Sequence, residues 1–201
     1  GLANSGNVWQ NYTINFTGNG NTQRLEFLST GTPVSYGRGG HLDDIKLLAY
    51  QQNPNLGGDD ILEGGEGNDT LVGGIGNDQL VGANPNGLTP GAGQVDYLRG
   101  DAGQDTFVLG DANQAYYQYG AINQILDLGV IEDFSFSEQD IIQLHGNAGN
   151  YITRSFSNGV VLGSGERFGP SVGIFTAQNE VVGLVLNVNN LNLNSSSFKY
   201  V

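Results

Sequence analysis

Residues 64–72 read Gly-Gly-Glu-Gly-Asn-Asp-Thr-Leu-Val, and residues 73–81 read Gly-Gly-Ile-Gly-Asn-Asp-Gln-Leu-Val. The same nine-residue register extends to three further blocks, at residues 55–63, 91–99 and 100–108. Each of these blocks has aspartate at its sixth position and a large apolar residue at its eighth. The aspartates are Asp60, Asp69, Asp78, Asp96 and Asp105, and the apolar residues are Leu62, Leu71, Leu80, Leu98 and Phe107. A flexible linker would not keep this spacing, so the repeat predicts a regular structure.

Each position of the repeat has a physical role. Glycines at the first, second and fourth positions let the backbone adopt positive φ and turn sharply, which presents carbonyl oxygens inward. The aspartate adds a carboxylate, and a hard cation such as Ca²⁺ prefers oxygen ligands of both kinds. The last three positions suit a short strand, in which only the eighth side chain points inward because side chains alternate between faces. The repeat therefore predicts short strands joined by turns that offer oxygens to a cation.

The pattern resembles the calcium-binding nonapeptide repeat of RTX proteins, which implies a parallel β-roll that binds several Ca²⁺ ions. In that family each ion lies between the turns of repeats n and n+2, so Asp60 would share an ion with Asp78. The resemblance covers residues 55–201, and its repeats occupy residues 55–108. It implies a metal site that includes turn residues besides the aspartates. These are Gly58, Gly65, Gly67, Asn68, Gly74, Gly76, Asn77 and Gly103.

Block 82–90 keeps the period but lacks both the aspartate and the apolar residue, reading Gly-Ala-Asn-Pro-Asn-Gly-Leu-Thr-Pro. Pro85 and Pro90 oppose a strand inside a ladder, because proline has no backbone N–H to donate. We therefore predict that residues 82–92 form a loop outside the roll, although a degenerate block that still stacks remains the alternative. With the loop, the expected pairs of aspartates are Asp69 with Asp96 and Asp78 with Asp105.

Residues 109–149 follow the repeats and are predicted to close the roll. Their first part, residues 109–129, shows no clear period. The following Ile-x-Asp-Phe and Asp-x-Ile-x-Leu sequences resemble the closing segment of an RTX roll, where two aspartates often complete the terminal calcium sites. The resemblance implies metal-binding roles for Asp133 and Asp140. An aspartate on the surface, beside buried apolar neighbours, is the alternative for Asp140.

Residues 1–50 show a different pattern, with apolar and polar residues alternating in three short stretches as on half-buried strands. The third stretch, residues 40–47, resembles the last strands of jelly-roll modules, including carbohydrate-binding ones. Three strands are too few for a sandwich of two packed sheets, so further strands lie upstream or another element covers this face. Trp9 and Tyr12 could form a glycan site, but packing in a core is the favoured interpretation.

Residues 150–201 are predicted to form a C-terminal β cap. The expected strands are Tyr151–Phe156, Val160–Leu162, Val172–Phe175, Val181–Val188 and Phe198–Val201, separated by clusters of Gly, Asn and Ser. This stretch looks like the cap that follows RTX repeats in large secreted calcium-binding proteins of cyanobacteria. That resemblance implies type I secretion, whose export signal is C-terminal and uncleaved, and a location outside the cell or at its surface.

The composition favours an all-β protein that binds cations. The 201 residues include 20 acidic and 7 basic ones, and the net charge of −13 argues against nucleic acid or an anionic membrane as a partner. There is no cysteine and therefore no disulfide, and no apolar run is long enough to span a membrane. We expect the chain to be a piece of a longer product, because it starts at Gly1 without a methionine. It shows no cleavable signal peptide, as type I secretion would explain.

The sequence does not predict an enzyme. His41 and His145 are its histidines, it has no cysteine, and neither a G-x-S-x-G elbow nor an H-E-x-x-H zinc motif occurs. A carboxylate pair such as Glu26 with Asp43 could serve a glycosidase, but the sequence cannot place such a pair in a cleft.

Two functional classes remain open. The first is a secreted, calcium-folded structural or adhesive module that assembles with copies of itself into a homo-oligomer or filament. Self-association is expected because the strands of residues 1–50 lack local partners, and open strand edges pair with other chains. The second is a carbohydrate-binding module whose β-roll only folds and exports the chain, with a glycan as partner.

Overall fold

The computed structural model describes residues 46–48, 58–118, 127–162 and 165–201. Apart from one short 3₁₀ helix, Ala148–Asn150, the elements in these ranges are strands, which confirms the all-β prediction. The strands are β1 (Lys46–Leu48), β2 (Ile61–Gly65), β3 (Thr70–Ile75), β4 (Gln79–Ala83), β5 (Val95–Ala102), β6 (Thr106–Val108), β7 (Leu128–Ile131), β8 (Ile141–Leu144), β9 (Tyr151–Phe156), β10 (Val160–Val161), β11 (Arg167–Phe168), β12 (Ser171–Thr176), β13 (Val181–Leu186) and β14 (Phe198–Tyr200).

From β1 to β8 the chain alternates between two sheets. The odd-numbered strands enter a seven-stranded sheet of order β1-β3-β5-β7-β13-β12-β9, and the even-numbered strands a five-stranded sheet of order β14-β8-β6-β4-β2. Each strand of this part pairs in parallel with the strand two places along the chain. Short parallel strands that belong in turn to one sheet and then to the other form a β-roll, as the repeat predicted.

The apolar residues at the eighth position of the repeat form the interior of the roll. Leu71, Leu80, Leu98 and Phe107 have no exposed surface, and Leu62 packs against their cluster. They stack in register across the ladders, with Leu71 opposite Leu98 and Leu80 opposite Phe107. Each such side chain contributes about 2 kcal/mol by burial, so the repeat stabilises the roll through one residue in nine.

The register of the seven-stranded sheet skips one block of the repeat. Thr70 in β3 lies opposite Tyr97 in β5, which is 27 residues later rather than the 18 that two blocks would give. Residues 84–94 run outside both sheets as successive turns. The excursion is shifted from the expected 82–92, because Gly82 and Ala83 still belong to β4 and Ala83 is fully buried.

Strand β1 belongs to the roll. The sequence pattern groups this region with an N-terminal jelly-roll unit, but Lys46–Leu48 pairs in parallel with Thr70–Val72 of β3. The first two of the three strands expected in residues 1–50 lie outside the described residues, as do Trp9 and Tyr12.

The C-terminal strands continue the two sheets of the roll. β13 pairs in parallel with β7, and β14 pairs in parallel with β8. β12 then joins β13 and β9 in antiparallel pairs, which end the seven-stranded sheet at β9. All five strands expected in this region are present, with ends that differ by up to two residues. The sequence pattern missed β11, which pairs with β10, because two residues are too short to show alternation.

Candidate calcium site

The turns that connect the two sheets collect at two edges of the roll. One, called here the aspartate edge, consists of residues 58–60, 76–78, 103–105 and 132–140. The other, called here the tyrosine edge, consists of residues 66–69, 84–94 and 109–118, together with Asp96 at the start of β5. The aspartates of the repeat are therefore divided between two sites.

At the aspartate edge the carboxylates form a continuous stack. The backbone N–H of Asp60 donates to Asp78 Oδ1 at 2.8 Å, and that of Asp78 donates to Asp105 Oδ1 at 2.9 Å. The N–H of Asp105 in turn donates to Asp140 Oδ1 at 3.0 Å. Asp78, Asp105 and Asp140 are buried. Four successive turns of the roll are thus linked through three carboxylates, those of Asp78, Asp105 and Asp140.

Residues at the fifth position of the repeat form a second row of hydrogen bonds. The N–H of Asn77 donates to Asp59 Oδ1 at 2.7 Å, and the N–H of Gln104 donates to Asn77 Oδ1 at 2.8 Å. At the tyrosine edge, Asn68 Oδ1 accepts from the N–H of Val95 at 2.8 Å. The asparagine side chains therefore hold stacked turns together at both edges.

Asp133 and Asp140, the two aspartates of the closing segment, both lie at the aspartate edge. Asp133 accepts the N–H groups of Gly100 and Asp101, at 3.0 and 2.8 Å. Asp140 uses its second carboxylate oxygen to accept the N–H of Ser135 at 2.8 Å. With 2% of its surface exposed, Asp140 is a buried residue, so the alternative of a surface aspartate is wrong.

The surroundings of Asp78 and Asp105 fit a bound cation. Asp78 Oδ2 is buried without a hydrogen-bond partner among the described residues. A buried carboxylate oxygen without a partner is costly, and a cation would remove that cost. Glycine at the first position of the repeat provides the space, because a Cβ on Gly73 or Gly100 would collide with Oδ2 of Asp78 or Asp105.

Backbone carbonyls provide the other oxygens of this edge. The carbonyl of Gly58 faces Gly76 and that of Gly76 faces Gly103, so closely that neither facing glycine has room for a Cβ. Positive φ is found at five glycines of the expected site, namely Gly65, Gly67, Gly74, Gly76 and Gly103. Within the described ranges no three acidic or histidine side chains meet at a point that could hold a metal. A Ca²⁺ ion here would therefore bind carbonyl as well as carboxylate oxygens.

The electrostatics of the aspartate edge also favour a cation. Burial raises the pKa of Asp78 to about 6 and the pKa of Asp105 to about 7, and neighbouring carboxylates add to both shifts. Burial likewise raises the pKa of Asp60 and of Asp140. A divalent ion would reverse these shifts, because its charge stabilises the ionised carboxylates.

At the tyrosine edge, one aspartate has a different hydrogen-bond partner on its second carboxylate oxygen. The N–H of Asp69 donates to Asp96 Oδ1 at 2.8 Å, which repeats the pairing of the other edge. Asp96 Oδ2, however, accepts the hydroxyl of Tyr117 at 2.7 Å, and all three residues are fully buried. Burial raises the pKa of Asp96 to about 6, whereas the hydrogen bonds from Tyr117 and Asp69 act in the opposite direction. Asp69 and Asp96 thus form a pair separate from the aspartate edge.

Tyr117 is the site residue that the sequence analysis missed. It lies in the stretch without period, residues 109–129, next to Tyr116, which is also buried and whose hydroxyl donates to Asp111. The two adjacent tyrosines were the available signal, since large aromatic side chains in a short insertion usually pack into a core. Their partners could not be read from the sequence.

Comparison with known families agrees with this geometry. Residues 56–84 and 91–113 match the model of the RTX calcium-binding nonapeptide repeat, in four copies. The interval between the two matches falls within the excursion of residues 84–94. No curated protein matches the chain in a sequence search. No helix in the described ranges has the length and apolar character needed to span a membrane.

Proposed function

We propose that this chain, whose RTX repeats are calcium-binding, is a secreted module that Ca²⁺ holds in its folded state for a structural or adhesive role outside the cell. The observation that carries the proposal is the stack of Asp60, Asp78, Asp105 and Asp140 along one edge of the roll. Because these carboxylates are close together and mostly buried, their charges oppose folding until cations neutralise them.

The stack supports an assignment of the residues that would hold the ions. Ca²⁺ would bind the carboxylates of Asp78, Asp105 and Asp140 and the carbonyls of turn glycines such as Gly58 and Gly76. When bound, it would supply positive charge and link turns that are 18 to 35 residues apart in the chain. Several ions would also neutralise much of the net charge of −13.

Calcium-dependent folding is the first prediction. Thermal unfolding of the full chain, followed by circular dichroism, should have a lower midpoint in excess chelator than in excess Ca²⁺, because metal binding and folding are coupled. At a temperature between the two midpoints, Asp78→Asn should raise the Ca²⁺ concentration required for refolding by about tenfold or more. A midpoint that does not change on chelation would contradict the proposal.

Glu138→Gln is the matched control for that experiment. Glu138 belongs to the same edge and the substitution removes the same charge, but its side chain is exposed. The control should refold at the Ca²⁺ concentration of the unsubstituted chain. An equal effect of both substitutions would point to net charge rather than to bound ions.

A non-catalytic role agrees with the family and with the surroundings of His145. The matching family is a calcium-binding repeat rather than an enzyme family. His145 Nδ1 lies 2.8 Å from the carbonyl oxygen of Asp111, so one ring nitrogen is engaged with the backbone. His41, Glu26 and Asp43 lie outside the described residues, and the expectation that they form no active site stays a prediction.

Secretion and self-association belong to the same proposal. RTX repeats are typical of secreted proteins, and calcium is abundant outside cells. β9 and β2 end their sheets in the described part of the chain, and strands at sheet edges can pair with another copy. Light scattering of the full chain in Ca²⁺ tests this, and a monomer at high concentration would contradict assembly. The glycan-binding alternative depends on residues 1–45 and stays a prediction.

A further inference from the structure

Asp78 and Asp96 differ in what satisfies the second oxygen of the carboxylate. We propose that the position beside Asp96 Oδ2 is closed without a cation, by the hydroxyl of Tyr117, and that Ca²⁺ binds instead beside Asp78 and Asp105 at the aspartate edge. This inference rests on the proposed calcium function and specifies which carboxylates take part in it.

Both carboxylate oxygens of Asp96 have a donor from the chain itself. Oδ1 accepts the N–H of Asp69 at 2.8 Å, and Oδ2 accepts the hydroxyl of Tyr117 at 2.7 Å. Because Asp96 is fully buried, a Ca²⁺ ion at Oδ2 would have to compete with this hydroxyl for the space beside the oxygen. At the other edge, the equivalent Oδ2 of Asp78 has no such donor among the described residues.

Contacts of its backbone and of its ring fix the position of Tyr117 at the tyrosine edge. Its N–H donates to the carbonyl of Pro90 at 2.9 Å, and its φ of 58° lies in the left-handed region, which is unfavourable for tyrosine. The surrounding fold must therefore hold it there. A Cβ on Gly82 would lie 2.5 Å from the hydroxyl, and one on Gly91 would collide with the ring.

The atoms beside Gly82 support the replacement of the ion by the tyrosine hydroxyl. It occupies the first position of its block, as Gly73 and Gly100 do at the aspartate edge. Beside Gly73 and Gly100, the nearest atoms belong to the carboxylates of Asp78 and Asp105 alone. Beside Gly82, the nearest atom is the hydroxyl of Tyr117, followed by Asp96. The space that the glycine provides for a cation is thus filled by the phenol.

Among the described residues, the ladder position next to Asp96 holds no carboxylate. In the ladder between β5 and β7, Asp96 lies opposite Gly129, whereas the aspartate edge continues from Asp105 to Asp140. A Cβ on Gly129 would lie 2.6 Å from a methyl of Leu109 and 3.5 Å from the ring of Tyr117. An aspartate would therefore not fit at position 129, and the buried Asp127 lies two residues earlier in the chain.

Counting bound ions tests the proposal. Native mass spectrometry of the full chain in Ca²⁺, with equilibrium dialysis as a second count, should give the same number of ions for Asp96→Asn as for the unsubstituted chain. Asp78→Asn and Asp105→Asn should each lose at least one ion. Asparagine at position 96 can keep both contacts, since its oxygen still accepts from Asp69 and its amide can donate to the tyrosine oxygen.

A loss of one ion in Asp96→Asn would overturn the one-sided arrangement and leave the calcium function intact. An unsubstituted chain that binds no Ca²⁺ would instead overturn the proposed function and, with it, this inference. The two failures are therefore distinguishable from the same set of samples.

Tyr117→Phe provides a second measurement, independent of the ion count. It should lower the midpoint of thermal unfolding by the same amount in Ca²⁺ and in chelator, at a chain concentration and pH where both states melt cooperatively. Asp78→Asn should lower the midpoint in Ca²⁺ only. A loss of stability in Tyr117→Phe that appears only with Ca²⁺ would show an ion at Asp96 and contradict the proposal.

Discussion

The aspartate edge and the tyrosine edge are built from one repeat but satisfy their buried carboxylates in different ways. Asp78 and Asp96 occupy the same position of the repeat, are both buried, and both accept a backbone N–H from the stacked turn. Asp96 has a phenol on its second oxygen, whereas Asp78 does not. The aspartate of the repeat therefore makes the same backbone contact at both edges, and at Asp96 a residue outside the repeat supplies the contact that a cation would otherwise make.

Filling the space beside one carboxylate should have the largest effect. Gly100→Ala places a Cβ against Asp105 Oδ2, where a carboxylate and its ion need room, and should destabilise the chain by about 2 to 3 kcal/mol. Urea unfolding in Ca²⁺ measures this. Gly169→Ala is the matched control, because a Cβ there meets no atom within 4 Å. Equal stability of the two variants would contradict the tight packing of the aspartate edge.

The repeat itself could be read from the sequence, since its consequences are local. The spacing of Leu71, Leu80 and Leu98 determines which side chains enter the core, because a strand alternates its faces regardless of the rest of the chain. The prolines Pro85 and Pro90 likewise indicate where the ladder is interrupted. These features depend on neighbours within one turn of the roll.

The difference between the edges could not be read in the same way. The contact of Tyr117 with Asp96 joins residues 21 positions apart through a segment without period, so it depends on the path of the whole insertion. The pairing of β1 with β3 was missed for a similar reason, since three residues carry too little pattern to choose a partner. Long-range pairing of irregular segments is set by packing rather than by local preference.

The second-largest effect is expected in the pH dependence of stability, which should distinguish the aspartate edge from the tyrosine edge. In chelator, Asp78 and Asp105 have pKa values of about 6 and about 7 in the folded chain, above the ordinary value of 3.8. The folded state then binds more protons than the unfolded state between these values, so stability falls as pH rises from 4 to above 7. Urea midpoints at intervals across this range measure the fall.

Excess Ca²⁺ should change the pH profile of stability at the aspartate edge but not at the tyrosine edge. Because the ion competes with protons at Asp78 and Asp105, their contribution to the fall should disappear in excess Ca²⁺. Asp96, whose pKa is raised to about 6 by burial, should keep its contribution. Asp96→Asn should therefore flatten the pH profile that remains in Ca²⁺. A profile in Ca²⁺ that is identical to the one in chelator would contradict the placement of ions at the aspartate edge.

The smallest effect is expected from the asparagines, which form a matched pair across the two edges. Asn77 and Asn68 each use Oδ1 to accept one exposed backbone N–H, from Gln104 and Val95 respectively, at 2.8 Å. Replacing either by alanine removes one hydrogen bond and should cost about 0.5 to 1 kcal/mol in Ca²⁺.

In chelator, the cost of Asn77→Ala should become smaller, because the turns of the aspartate edge separate when their carboxylates repel each other. The cost of Asn68→Ala should stay the same, since Tyr117 holds the tyrosine edge together in either condition. Urea unfolding of both variants in Ca²⁺ and in chelator measures the four values. If Asn68→Ala were the variant that responded to Ca²⁺, the assignment of the two edges would be reversed.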